Sequence, residues 1–431
     1  MNETLNYLHG FGNEFESEAL HGALPVGQFS PQRPPFGLYA EKFSATAFTV
    51  PHHLNRRTWF YRIRPSANQS SFEPYEQHLI GAVPQALEVP VDPMRWSAPG
   101  LETNKDFVDG LVTVAANGDV RMHAGISIHL YACDKPMAQR CMLNRDGELL
   151  IVPQQGTLRL HTECGLLDLE PGEIVVIPRG MKFSVMPDGS ARGYICENHG
   201  QDLRLPERGP IGSDGLANAR DFKIPVASYV DAEESWEVIC KSAGRLFSAA
   251  LDRNPFDVVA WTGNAAPYKY DLACFNAVGS ISFDHPDPSI FTVLTAPSEI
   301  SGVANVDFVI FPPRWLVAEN TFRPPWFHRN VMSEFMGLVH GQYDAKATGF
   351  EPGGMSLHNA FVPHGPDADV HQAASEADLA PRQLTDTLAF MFETRFPLAL
   401  TPWALATPAL QPDYYRCWQG LSPHFDPNTS E

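Results

Sequence analysis

The histidines are unevenly spread. Of sixteen, His285, His328, His340, His358, His364 and His371 fall within one short stretch. Two segments there have the residue types of a metal triad, Phe327-His328-Arg-Asn-Val-Met-Ser-Glu334 and Ser356-Leu-His358-Asn-Ala-Phe-Val-Pro-His364-Gly-Pro. Two neutral imidazoles and one carboxylate on one face of a metal leave several coordination positions open. That suits Fe(II), where a substrate and O2 bind side by side. His328 and Glu334 are six residues apart, so in an extended segment their side chains leave from the same side, whereas on a helix they would diverge by about 240°. The spacing predicts a strand-borne site. His358 and His364 are also six apart, and only one of them is needed to complete the triad. His364 lies in a stiff Pro-His-Gly-Pro turn that could fix a ligand, and His358 would then face the open part of the site.

The elements that must carry these groups read as mainly β. The chain has 431 residues, 44% hydrophobic and 19% charged, with 38 prolines and 32 glycines set between short runs of Val, Ile, Phe, Tyr and Thr. Such punctuation favours strands and turns. Between Gly147 and Gly200 several apolar runs are separated by PQQG, CG, PGE, PRG and PDG, the pattern of antiparallel hairpins in a sandwich or jelly roll. Thr58 to Arg64 alternates, which predicts a half-buried strand with Trp59, Tyr61 and Ile63 on one face and Arg62 and Arg64 on the other. Ala373 to Leu384 and Asp231 to Gly244 are the best helix candidates, both short. Glu197 to Pro225 reads as a connector, or as a loop packed onto a barrel.

Charge and cysteine usage exclude several classes. The formal net charge of −19 opposes any broad phosphate-binding surface, so nucleic acid and anionic membrane are not expected partners. The seven cysteines include no CxxC and suggest neither a disulfide framework nor a thiolate zinc site, and each reads as a small buried hydrophobe. The first residues lack a basic segment followed by an apolar one, and no run is long enough to span a bilayer. A cytoplasmic protein is the simplest expectation.

The segments FDHPDPSIFTVLT, DFVIFPPRW, TFRPPWFHRNVMSEFMGL, LHNAFVPHGPDAD and AFMFET, with GFGNEFESEAL, LYAEKFSATAFTVP, GELLIVPQQG, ANARDFKIP and VVAWTGNAAPYKYDL, resemble homogentisate 1,2-dioxygenases nearly end to end. The resemblance implies cupin-like β-sandwich parts and a homohexamer built as a dimer of trimers. It implies a non-haem Fe(II) enzyme that cleaves homogentisate with O2 to 4-maleylacetoacetate in tyrosine and phenylalanine catabolism. It places the iron on His328, Glu334 and His364, an acid/base role on His285, and substrate contacts on Tyr343, His358 and His364. Arg323 and Arg329 are further candidates for the substrate's acetate. Trp315, Trp326, Phe327 and Phe335 are expected to wall the site against bulk water.

A first cupin motif is recognisable around Glu334, with Asn330 where a second histidine is usual. In the N-terminal half, Pro171 to Gly180 resembles the second cupin motif, but Phe183 takes the place of its metal-binding histidine. Residues 1–275 are therefore expected to form a metal-free β-sandwich, and residues 276–431 the cupin-like unit that carries iron. Three rival readings remain: a dioxygenase for another dihydroxybenzene such as gentisate, a non-catalytic metal-binding cupin, and a zinc-dependent isomerase or hydrolase.

Overall fold

The computed structural model describes residues 4–77, 79–81, 88–100, 104–209, 213–282, 284, 286–346 and 348–428. Strands dominate it. Among these residues the α-helices are Ala368–Ser375 and Pro402–Ala406. A fourteen-stranded sheet occupies most of the N-terminal half, and its spine is the long pair Glu148–Thr162 and Lys182–Asn198. The PQQG sequence lies inside the first of these strands instead of turning it. Register shifts at Gln155 absorb the left-handed Gly156 (φ 76°) as a bulge, which bends a strand without ending it.

The second large sheet holds six strands in the order Thr292–Pro297, Ala304–Phe311, Thr387–Thr394, Ser333–Gly341, Met355–His358 and Met94–Trp96. Alternation along them divides their side chains between two faces. Phe335, Phe308, Phe390 and Phe392 leave on the inner face and pack on one another at centroid distances of 4.9 to 6.3 Å. Tyr194 of the larger sheet meets Phe390 edge-on at 4.9 Å and donates its hydroxyl to the Gly354 carbonyl at 2.8 Å. Gly337 permits this contact, because a Cβ there would lie 2.4 Å from Phe390 and 3.1 Å from Tyr194.

Three local expectations are corrected. Asp231 to Gly244 is not helical: Trp236–Ser242 is a strand between Arg140–Asn144 and Arg245–Leu251. Val238 and Cys240 pack there with Cys141, Leu143 and Phe256, and pairing on both edges overrides any local helical tendency. The helix expected at Ala373 to Leu384 begins earlier, at Ala368, and gives way to a strand at Arg382–Leu384. In Arg57–Arg62 the face assigned to solvent is buried. Arg62 is 2% exposed because Asp257, Glu163 and Glu41 surround its guanidinium.

Five of the cysteines are buried and all seven are free. Phe183 is fully buried, edge-on to Phe107 at 6.0 Å, so the position of the missing histidine is filled by packed rings.

Candidate metal centre

Cross-strand register sets the site. Thr295, Asp307, Glu393, Glu334 and His358 lie directly opposite one another on five successive strands, and residues so paired project from the same face. Two positions along, Met336 faces Met391 and Ser356. This face floors a cavity of about 140 Å³, also lined by Arg95, Phe311, Tyr343, Lys346, Phe350 and Tyr414.

His328 and His364 roof it. Their backbones pair, His328 N–H to His364 O at 2.9 Å and the reverse at 3.1 Å. The strand carrying Glu334 starts only at Ser333, so His328 reaches the carboxylate across a bend and a two-residue bridge, not along one extended strand as its spacing predicted. Gly365 lets the roof close, since a Cβ there would sit 2.5 Å from the Phe327 ring and 2.9 Å from its Cα.

The hydrogen bonds dictate what the site wants. His328 Nδ1 donates to Trp326 O at 2.7 Å and His364 Nδ1 to Val362 O at 2.9 Å, which leaves both Nε2 atoms as lone pairs. Those atoms face the Glu334 carboxylate, His364 Nε2 at 2.9 Å from Oε2 and His328 Nε2 at 3.5 Å from Oε1. In the neutral rings these lone pairs repel the carboxylate unless a proton or a metal ion sits among them. The ligand atoms of His328, Glu334 and His364 lie within 4.8 Å of one another, a spacing that a single metal ion would span. Asn330, at the position of the absent second cupin histidine, donates its side-chain amide to Glu334 Oε1 and orients the carboxylate instead of joining the ligand set.

Charge follows from this packing. Burial raises the pKa of Glu334, but the three histidines around it dominate and hold the carboxyl well below its ordinary range. Burial likewise lowers His328, and Glu334 reverses the effect, so its pKa lies above the ordinary value. Burial, with His364 stacked alongside at 3.9 Å, pushes His358 down to about 3, so that ring is neutral. Burial raises Glu393 to about 7, and Glu334 and Asp307 on either side add to it.

Comparison with known proteins decides the family. A sequence model described as homogentisate 1,2-dioxygenase N-terminal matches residues 6–272, and one described as homogentisate 1,2-dioxygenase C-terminal matches residues 273–425. The chain belongs to the homogentisate 1,2-dioxygenase family. Members are ring-cleaving dioxygenases, so this protein is an oxidoreductase acting on a small molecule with O2.

Solved structures similar to the chain include a putative glyoxylate-induced protein from Pseudomonas aeruginosa (10% identity, 77% of this chain and 99% of that one, TM-score 0.33). They also include a cupin 2 conserved barrel domain protein from Leptotrichia buccalis (10%, 69% and 100%, 0.28). A deletion mutant of Bacillus subtilis oxalate decarboxylase is similar at the same level (10%, 73% and 80%, 0.31). Likeness this slight adds nothing to what the family match and the sheets themselves establish.

In this homogentisate dioxygenase relative the structure gathers His328, Glu334, His364, His358 and Tyr343 around one cavity. His285 lies outside the described residues. Arg323 is spent on the carbonyls of Ala318, Leu316, Leu379 and Ala380, and Arg329 is exposed; neither lines the cavity. Of the expected aromatic wall only Trp326 lines it, while Phe335 points into the inter-sheet core. Arg95, Lys346, Glu393 and Tyr414 were not singled out from the sequence. For Glu393 a signal existed, since the Phe-Met-Phe-Glu alternation puts Glu393 on the face of Met391. Arg95 and Tyr414 lie far from the motifs in sequence and carried none. Among the described residues no helix is long and apolar enough to cross a membrane.

Proposed function

We propose that the protein is an Fe(II)-dependent dioxygenase converting homogentisate and O2 to 4-maleylacetoacetate, with both oxygen atoms incorporated, in the catabolism of tyrosine and phenylalanine. The observation that carries the reading is the convergence of two imidazole lone pairs and one carboxylate beside a buried cavity, in a chain of this family. His328, Glu334 and His364 would hold the metal. Bound there, Fe(II) would supply open coordination positions and the redox partner that allows ground-state O2 to react with a phenolate.

The remaining roles belong to the protein. Phe311, Met336, Phe350 and Met391 give the ring an apolar bed and exclude water. His285 is the proposed acceptor of the phenolic proton, a task suited to a neutral imidazole near neutral pH. The acetate brings a negative charge into a cavity that already holds Glu334 and Glu393, so it needs donors facing it. Tyr343 and His358 are proposed for that role, with the cations Lys346 and Arg95 on the same wall. In this reading residues 276–431 carry the iron and residues 1–275 are metal-free scaffold, in a cytoplasmic homohexamer arranged as a dimer of trimers.

The test is oxygen uptake by protein purified without air and reconstituted with Fe(II). Uptake with homogentisate and not with gentisate, one O2 per ring opened, supports the assignment. Absence of uptake despite bound iron sinks it and favours a binding or sensing role. Zinc as the native metal with activity indifferent to O2 would favour an isomerase or hydrolase.

A further inference from the structure

Three hollows stand in a row at the metal centre. The metal cavity, of about 140 Å³, shares Pro288, Phe311 and Pro325 with a smaller compartment of about 60 Å³. That compartment in turn shares Gly279, Arg314, Trp315 and Val317 with an outer hollow of about 360 Å³. Asn276, Pro313 and Gln383 of the outer hollow are exposed, and Trp315 at the junction is 54% exposed. The row leads from solvent, past Val317, to the wall of the metal cavity.

The middle compartment differs in chemistry from the cavity it adjoins. Val278, Phe291, Phe311, Val317 and Ala318 line it, together with three prolines, Pro286, Pro288 and Pro325. The cations among its described lining residues are already engaged. Arg314 donates to Asp344 at 2.7 Å and to the Pro312 carbonyl at 3.2 Å. Arg323 donates to the carbonyls of Leu316, Ala318, Leu379 and Ala380 at 2.6 to 3.3 Å. Ser280 accepts the Ser282 N–H at 3.0 Å. A carboxylate or phenol entering here would give up water and gain little in return, at a cost of several kcal/mol. An uncharged diatomic gas gives up nothing, and apolar cavities stay dry and bind xenon. The volume, less than half that of the metal cavity, also suits a gas better than an aromatic acid.

The walls resist collapse. Relaxation of the neighbours normally closes part of such a void. Here Arg323 ties the backbone of Leu316 and Ala318 to that of Leu379 and Ala380, and Arg314 ties its own strand to Asp344. The prolines add backbone that bends little.

We propose that the compartment is a gas site and passage through which O2 approaches the metal position, with the Phe311 side chain as the partition that its motion opens. The aromatic acid uses the other side of the cavity, where Asp287, Ser289 and Trp326 are exposed. Two routes let O2 arrive after the ring has filled the cavity. The passage rests on the dioxygenase reading; uptake of an apolar gas by the compartment does not.

The experiment uses crystals of the full-length protein pressurised with xenon, and the Fe(II)-reconstituted enzyme. Wild type should show a xenon peak in the middle compartment. Ala318→Phe, whose ring fills that space, should lose the peak. In the same variant KM for O2 should rise about five-fold or more, while KM for homogentisate, kcat at saturating O2 and bound iron stay within about two-fold. Val317→Trp, at the junction with the outer hollow, should repeat the effect on O2, and it decides the matter if Ala318→Phe does not fold. A wild type without the xenon peak overturns the proposal. So does an unchanged KM for O2 once the peak is gone, or an equal rise in KM for homogentisate, which would mean a shared entrance. A wild type that takes xenon yet never consumes O2 overturns the dioxygenase reading and leaves the gas site standing.

Discussion

Gly365→Ala tests whether the roof of the site sets metal affinity. The glycine is not itself a candidate ligand but follows His364 in the chain, and a methyl group there would lie 2.5 Å from the Phe327 ring and 2.9 Å from the Phe327 Cα. Ordinary contact begins near 3.4 Å, so the two strands of the roof would have to part by about 0.5 to 0.9 Å. The moving part is the His328–His364 bridge, whose two backbone hydrogen bonds keep the imidazoles in register. Metal–ligand distances tolerate only about 0.2 Å, and supporting contacts of this kind typically govern affinity by about 10- to 100-fold. Iron affinity should therefore fall by at least about ten-fold. The assay is iron retained after anaerobic loading and gel filtration, with the melting temperature recorded to show that the fold persists. Adding Phe327→Ala removes the ring contact but leaves the backbone one, so the double variant should recover part of the lost iron. Wild-type iron affinity and turnover in Gly365→Ala would refute the argument that the roof has no slack.

Other perturbations read different parts of the molecule. His364→Ala should lose both iron and turnover, measured by metal analysis and oxygen uptake, and full retention of either would remove it from the ligand set. Tyr343→Phe should raise KM for homogentisate more than it lowers bound iron; the opposite order would make Tyr343 a structural residue. Lys241→Met strands Glu197 and Asp146, which hold its ammonium at 2.9 and 2.7 Å in a fully buried network, and should destabilise the protein by about 3–5 kcal/mol in chemical denaturation. A loss below about 1 kcal/mol would mean that water or a shifted partner replaces the lysine. His161, buried beside Phe256, has its pKa lowered to about 4 by burial. The unfolded chain binds this proton more readily, so the contribution is intact above the ordinary value near 6.5 and is lost as pH falls toward 4. At pH 5 the loss is about 2 kcal/mol. His161→Phe should flatten stability between pH 7 and 5, and an unchanged slope would show that the ring is already solvated.

Much of this was legible in the sequence where local pattern and tertiary structure agree. Short β-rich runs between Gly and Pro gave strands because those residues suit a pleated, half-buried surface, and the triad residues carry their chemistry in their types. What could not be read depends on partners distant in the chain. Arg62 alternates like a surface residue, yet three carboxylates from separate segments bury it. Trp236 to Ser242 looked capable of a helix until two neighbouring strands claimed its backbone. His358 and His364 differ in their partners, the Tyr414 phenol for one and the Val362 carbonyl for the other, neither of which leaves a trace in spacing. Glu393 entered the site by register, a property of paired strands.

The strand order has a consequence for when the site comes into being. Met94–Trp96 forms the edge beside the His358 strand, while Ala399–Leu400, late in the chain, pairs with Leu111–Ala116 in the other sheet. Tyr414 is later still. A ribosome will thus have made the scaffold, both imidazole segments and the carboxylate before the last pieces that enclose them exist. Until Tyr414 is added, the ring nitrogen of His358 that meets its hydroxyl has no partner there.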